Sequence, residues 1–378
     1  MKIGIVTFFC VPNYGAMLQA YALWKYLEGR GHEVEFIDCA FGNTRRIPLW
    51  KCFVARHLHN CIDTIRKKLK LYVRFDIVHF SDAYPRTKRF KVIADLEIIS
   101  NKYNAIIVGS DQMWNPAWCA GQYLPIVMLD FAGEGVKRMA YAASFGTTEW
   151  PHKHDAELAG KLLRKFDGIS VREESGVEFV HRLSGRDDAK WHLDPTLLPE
   201  AQFYTALMSN LKNSKQRYIF SYILDEWADD NDIVNVIEAV KSARGVDSVL
   251  TDRIDVRGVL APVCKLLKVQ KKVSVSEWLS LIANADFVIT NSFHGTVFSL
   301  LFHKPFVTFP VKGILSGMNE RLQSLLRLVH LEKRLVTVEW DESMFRNMAI
   351  EVIDWEAVDT ILCSKRKEAE NYFFTNGL

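Results

Sequence analysis

Apolar and polar positions divide this chain into blocks of two kinds. Short continuous apolar runs, rich in β-branched residues, occupy 2–8, 33–37, 105–108, 139–143, 168–171, 218–223, 248–250, 287–289 and 305–309. Their length suits strands buried on both faces of a parallel sheet. Between them lie stretches with apolar residues at helical spacing, such as Leu18, Ala22, Leu23 and Tyr26 in 16–27, and further helices at 153–166, 232–243, 275–283, 319–328 and 355–372. Alternating strand and helix predicts an α/β fold with parallel sheets.

At 378 residues the chain is too long for one simple core. The pattern divides into two doubly wound, Rossmann-like domains, 1–205 and 206–350, with a hinge near 199–216 marked by Asn210, Asn213 and Ser214. A last segment, 351–378, is expected as a helix that packs back on the first domain. Residues 44–100 break the α/β rhythm. From Trp50 to Val73 the apolar positions fall close to one helical face, and the segment from Arg45 to Lys91 holds thirteen Lys/Arg against three Asp, a net of +10, leaving −7 for the remainder. This predicts a basic helical insertion. Its charges are either merely solvated or meet an anionic membrane surface or carrier. Charge confined to one patch argues against nucleic acid as a partner.

The apolar start is too short for a signal peptide and reads as a first strand. Seven cysteines form no C-x-x-C pair and no zinc-ligand spacing. We therefore expect a reducing, cytoplasmic setting, without cofactor or metal.

Candidate chemistry lies just beyond the predicted strands, where open α/β sheets bind ligands. The first such loop runs through Asn13, Tyr14 and Gly15, with Asn13 as a cap for a helix beginning at Ala16. The second is Gly109-Ser110-Asp111-Gln112. The third ends in Arg172, whose fork of donors suits a carboxylate or phosphate, unless it pairs with glutamates of the following helix. The fourth is Ser292-Phe293-His294-Gly295-Thr296, where a helix opening at Gly295 offers a start for an anion. His294 stands at its mouth, either as a functional group or as a packed histidine. Asp194-Pro195 reads as a turn. If two such domains face each other, these loops converge on one interdomain cleft. The glycine patterns of dinucleotide folds and P-loops are absent, as is the G-x-S-x-G elbow.

Six blocks in series, Asn13-Tyr14-Gly15-Ala16, Val108-Gly109-Ser110-Asp111-Gln112-Met113-Trp114-Asn115, Tyr141-Ala142-Ala143-Ser144-Phe145-Gly146, Ser170-Val171-Arg172-Glu173, Leu193-Asp194-Pro195-Thr196 and Ser292-Phe293-His294-Gly295, resemble the polysaccharide pyruvyl transferase family. The resemblance implies a GT-B-like fold and transfer of pyruvate from phosphoenolpyruvate to two hydroxyls of a hexose as a cyclic ketal, with release of phosphate. By the same resemblance Arg172 and His294 match donor-binding and catalytic positions. Such chemistry needs an acid and a base. His294 is expected to bind the phosphate and act as the acid, the donor's full charges outweighing the partial charge of the helix start. Asp111 is expected to orient or deprotonate the acceptor hydroxyl. Asn13, Tyr14, Gly15, Gly109, Ser110, Ser292, Gly295 and Thr296 are expected to bind substrate. Family acceptors are hexose-containing glycans, often carried on polyprenyl diphosphates at the inner membrane face, which gives the basic segment a candidate role in peripheral contact. The competing readings are a GT-B glycosyltransferase using a nucleotide sugar and a glycan-binding protein without turnover.

Overall fold

The computed structural model describes residues 1–11, 13–39, 80–90, 93–208, 216–224, 230–254, 271–311, 317, 319–336 and 341–378. Most of the basic 45–91 segment, including Arg66, Lys67 and Lys68, lies outside the described residues, as do Asn210, Asn213 and Ser214.

Six strands, β1 (Lys2–Val6), β2 (Glu33–Phe36), β3 (Ala105–Val108), β4 (Lys137–Ala143), β5 (Gly168–Val171) and β6 (Lys190–Trp191), form one sheet in the order β2-β1-β3-β4-β5-β6. A second sheet contains β7 (Tyr218–Tyr222), β8 (Ser248–Thr251), β9 (Phe287–Thr290) and β10 (Phe306–Thr308) in the order β10-β9-β7-β8. All pairings in both sheets are parallel. β1, β3, β5, β7, β9 and β10 are apolar runs because helices cover both sheet faces. The longer helices among the described residues are α1 (Tyr14–Gly29), α2 (Ile93–Ser100), α3 (Lys153–Leu163), α4 (Glu174–Ser184), α5 (Asp230–Arg244), α6 (Val275–Ala283), α7 (Phe293–Leu301), α8 (Glu320–Leu328), α9 (Glu342–Ile350) and α10 (Trp355–Thr375). The protein is thus an α/β protein of two Rossmann-like halves in a GT-B-like arrangement. Among the described residues, no helix is long and apolar enough to cross a membrane.

The helix starts differ from expectation in a way that matters for the site. Asn13 accepts the Ala16 N–H at 3.1 Å, so α1 begins at Tyr14 rather than Ala16. Ser292 accepts the Gly295 N–H at 3.3 Å, so Phe293 and His294 lie in the first turn of α7 rather than before it. In both cases a cap three residues upstream satisfies an N–H that would otherwise lack a partner. The sequence reading also missed α9, which Asp341 caps by accepting from Ser343 and Met344.

Two features join the halves. Tyr14 stacks on Trp278 of α6 with ring centroids 5.0 Å apart, meets Tyr222 edge-on, and donates its hydroxyl to the Val273 carbonyl at 2.9 Å. Helix α10 starts in the second half, where Trp355 stacks on His303, and ends in the first. There Tyr372 donates to the Ala140 carbonyl at 2.8 Å, and Phe373 packs against Tyr26 and Tyr141. Phe373 is fully buried. Phe373→Ala should therefore destabilise the first half by about 3–5 kcal/mol. Urea unfolding followed by circular dichroism should show a clearly lower midpoint, and an unchanged midpoint would refute this docking of α10.

Candidate functional site

The carboxyl ends of the first sheet converge on one buried carboxylate, Asp194, just beyond β6. Its Oδ2 accepts from Ser110 Oγ after β3 at 2.8 Å and from Arg172 after β5 at 2.8 Å. Its Oδ1 accepts from the Thr196 N–H at 3.0 Å and from the Thr196 hydroxyl at 2.7 Å. His294 Nε2 approaches from the second half, 3.7 Å from Oδ2, which is ion-pair range but beyond a hydrogen bond. Burial works against the ionised form of Asp194, but His294, Arg172 and the Thr196 donors outweigh it and hold the carboxyl far below its ordinary value.

Arg172 spans Asp194 and Asp111, with its second amino group 3.3 Å from Asp111 Oδ1. Burial opposes its charge, but Asp194, Asp111 and Glu173 prevail and raise its value above the ordinary one. Asp111 holds a left-handed backbone with φ of 68°, rare outside glycine, at the point where the chain leaves β3. The same Oδ1 lies 3.9 Å from Arg321 of α8. Burial and the nearby Arg172 pull Arg321 down to about 10, so it stays protonated at neutral pH. Both guanidiniums lie over the ring of Phe293, Arg172 at 4.7 Å and Arg321 at 5.5 Å from its centroid.

The two capped helix starts abut. A Cβ on Gly15, in the first turn of α1, would fall 2.0 Å from His294 Nδ1 in the first turn of α7, so only glycine admits the imidazole here. Gly295 is constrained in the same way against Thr290, at 2.5 Å from its hydroxyl oxygen. The structure thus brings Arg172, Asp111, Ser110, Gly15 and His294 together. Ser292 and Thr296 serve the helix itself, the first as cap and the second by donating to the Ser292 carbonyl at 3.2 Å. Asn13 caps α1, Gly109 is held by its N–H to Val6 at 2.9 Å, and Tyr14 lies in the interdomain core with its hydroxyl already bonded.

Three residues escaped the sequence reading: Asp194, which reads as a turn, Arg321, which lies on an ordinary amphipathic helix, and Glu173. Glu173 Oε1 accepts the N–H groups of Phe145 at 2.7 Å and Gly146 at 3.2 Å, fixing the loop after β4. Buried polar side chains that lack partners could not be recognised from sequence, yet they mark this place. Ser144 Oγ, Arg172 Nε, Glu173 Oε2, Ser175 Oγ and His294 Nε2 have no partner, half of all such atoms among the described residues. Buried polar groups are rarely left unpaired, and a cluster of them points to a polar ligand.

The folded value of Asp194 lies below its unfolded one, so its stabilisation is complete above the unfolded value of 3.8 and is lost as pH falls below it. Asp194→Asn leaves Arg172 short of a counter-charge, at about 3–5 kcal/mol. The unfolding midpoints of wild type and variant should differ by a constant amount from about pH 7 to pH 5 and begin to approach each other only below about pH 4, as pH falls toward the much lower folded value. Equal midpoints at pH 7 would show that Asp194 does not stabilise the fold.

Solved structures share the fold. UDP-GlcNAc 2-epimerase from Methanocaldococcus jannaschii is similar at 11% identity and a TM-score of 0.51, over 94% of this chain and 93% of that one. Arabidopsis thaliana UGT89C1, solved with UDP-L-rhamnose, is similar at 11% identity and a TM-score of 0.50, over 98% of this chain and 94% of that one. At such identity the likeness shows the fold alone. No curated protein sequence matches the chain. The family model described as polysaccharide pyruvyl transferase matches residues 13–313, and with it every residue of the site except Arg321. The chain belongs to the polysaccharide pyruvyl transferase family.

Proposed function

We propose that this protein transfers pyruvate from phosphoenolpyruvate to two hydroxyls of a hexose in a surface glycan or its lipid-linked precursor, forming a cyclic ketal and releasing phosphate. Beside family membership, the observation that supports it most is the pair of buried guanidiniums, one from each half, gathered with His294 around unpartnered donors. Net charge does not attract the donor. Arg172 and Arg321 face three carboxylates, Asp111, Asp194 and Glu173, two of which already accept other hydrogen bonds. The open donors, Arg172 Nε and His294 Nε2, instead supply directed hydrogen bonds, and charge-assisted ones are the strong kind.

On this reading the guanidiniums hold the carboxylate and His294 the phosphate. Protonation of the methylene carbon by His294 makes the methyl group and leaves cationic character at the central carbon. The first hydroxyl adds there and gives its proton to Asp111, and the return of that proton to His294 resets the acid for the next turnover. Phosphate then leaves, the second hydroxyl closes the ring, and its proton departs with the phosphate. The products are the ketal and hydrogen phosphate. A protonated His294 brings the site's formal charge to neutrality.

Phosphoenolpyruvate binding only the folded state should raise the melting temperature by mass action. The shift should vanish in Arg172→Ala, and Arg321→Ala should weaken binding about 10–100-fold, the range of a lost charged hydrogen bond. A shift with UDP-, GDP- or CMP-sugars but none with phosphoenolpyruvate would overturn the reading in favour of a glycosyltransferase.

Gly15→Ala, which by helix propensity alone is favourable by about 1 kcal/mol, must displace the imidazole. It should lower kcat about 100-fold, the scale of a misplaced catalytic group. His294→Ala should abolish turnover while circular dichroism stays unchanged. Near-normal phosphate release by either variant would remove His294 from the chemistry.

A further inference from the structure

The loop after β3 carries two tryptophans with opposite environments. Trp114 is fully buried and donates to the Val127 carbonyl at 3.1 Å, whereas Trp118 is 50% exposed. A single exposed aromatic residue is ordinary. What distinguishes Trp118 is that its indole N–H is held by a neighbouring side chain. It stands on one helical turn, Pro116–Cys119, capped by Asn115, which accepts the Ala117 N–H at 2.9 Å. Its indole N–H donates to Gln112 Oε1 at 3.3 Å, and the same oxygen accepts from Asn115 Nδ2 at 2.5 Å.

Gln112 directly follows Asp111, so this assembly is continuous with the residue assigned to the acceptor hydroxyl. Gly146 closes over it with φ of 58°, and a Cβ there would fall 2.8 Å from Asn115 Nδ2 and 2.9 Å from Gln112 Oε1. From the second half, Gly317 meets the Gly146 carbonyl, where a Cβ would fall 3.0 Å away. The two amides therefore border the joint between the halves, and the indole is bonded to one of them. An exposed indole held at its polar edge presents an apolar face, and the Gln112 amide beside it, whose oxygen Trp118 and Asn115 occupy, offers its amino group as a donor. A pyranose ring matches both, with one face of C–H bonds for stacking and hydroxyls around its edge. Because the indole is already oriented, binding orders little.

We propose that Trp118, with Gln112, forms an acceptor subsite that stacks a hexose ring beside Asp111, a proposal that rests on the transfer reading above. The test uses methyl glycosides of glucose, galactose, mannose and N-acetylmannosamine as probes, with phosphate release and saturation-transfer NMR as readouts. Trp118→Ala should raise the glycoside KM about tenfold, the scale of one aromatic contact, and leave the phosphoenolpyruvate-induced thermal shift unchanged. Trp118→Phe should restore most of the lost affinity. An unchanged glycoside KM in Trp118→Ala would overturn the subsite while leaving pyruvyl transfer intact. If wild type releases no phosphate and shows no thermal shift with phosphoenolpyruvate, the transfer reading fails. NMR then decides the subsite: transfer to a glycoside that disappears in Trp118→Ala supports it, and equal transfer or none overturns it.

Discussion

A buried carboxylate must be satisfied where it lies, and that requirement organises this protein. Asp194 has no access to water, so its charge is tolerable only if every oxygen meets a donor or a positive charge. The donors come from Ser110 after β3, from Arg172 after β5 and from Thr196 beyond Asp194 itself, with His294 approaching from the other half. A single residue thus fixes three neighbouring segments of chain and sets the distance of a fourth. The network extends backwards, since Ser110 accepts through its carbonyl from Thr7, and Thr7 accepts from Gln19 of α1. The site is consequently a set of strand ends tied to one anion, with little freedom for any one of them.

The second constraint is how closely the halves approach. Many two-domain folds leave a wide cleft between the sheets, but here the first turn of α1 touches the first turn of α7. Tyr14 fills the core of the other half, and the next residue must be glycine so that His294 fits against its backbone. Placement of His294 thus depends on packing from both halves. Arg321 depends on it equally, because its carboxylate neighbour Asp111 belongs to the opposite half. The same tight joint explains why unpartnered polar atoms collect here: the geometry holds donors and acceptors apart at a place from which bulk water is largely excluded.

Much of this was legible in the sequence. Continuous apolar runs identified buried strands because parallel sheets covered on both faces tolerate little else, and the runs of β3, β5 and β9 stand where that rule put them. Asp111, Arg172 and His294 stood out because polar residues immediately after buried strands lie at the ligand-binding edge of such sheets. The helix starts lie two residues earlier than the glycines suggest, because the caps decide them: Asn13 is legible as a cap in the sequence, Ser292 is not. Asp194 was read as a turn former, because sequence neighbours of Asp-Pro say nothing about which strand ends surround it.

The sequence by itself determined most of the secondary-structure order, short elements such as β6 and α9 excepted, the division into two α/β halves and the chemical types available at the strand ends, because these follow from local periodicity and neighbouring residues. The tertiary structure alone decided which of those groups meet. Ser110 and Asp194 are 84 residues apart, and Arg172 and Asp111 are 61 apart. The contact of Gly15 with His294 spans the two halves. Proximity across such separations arises from sheet order and domain packing, and so does the exclusion of water that turns Asp194 from a turn residue into the anchor of the site.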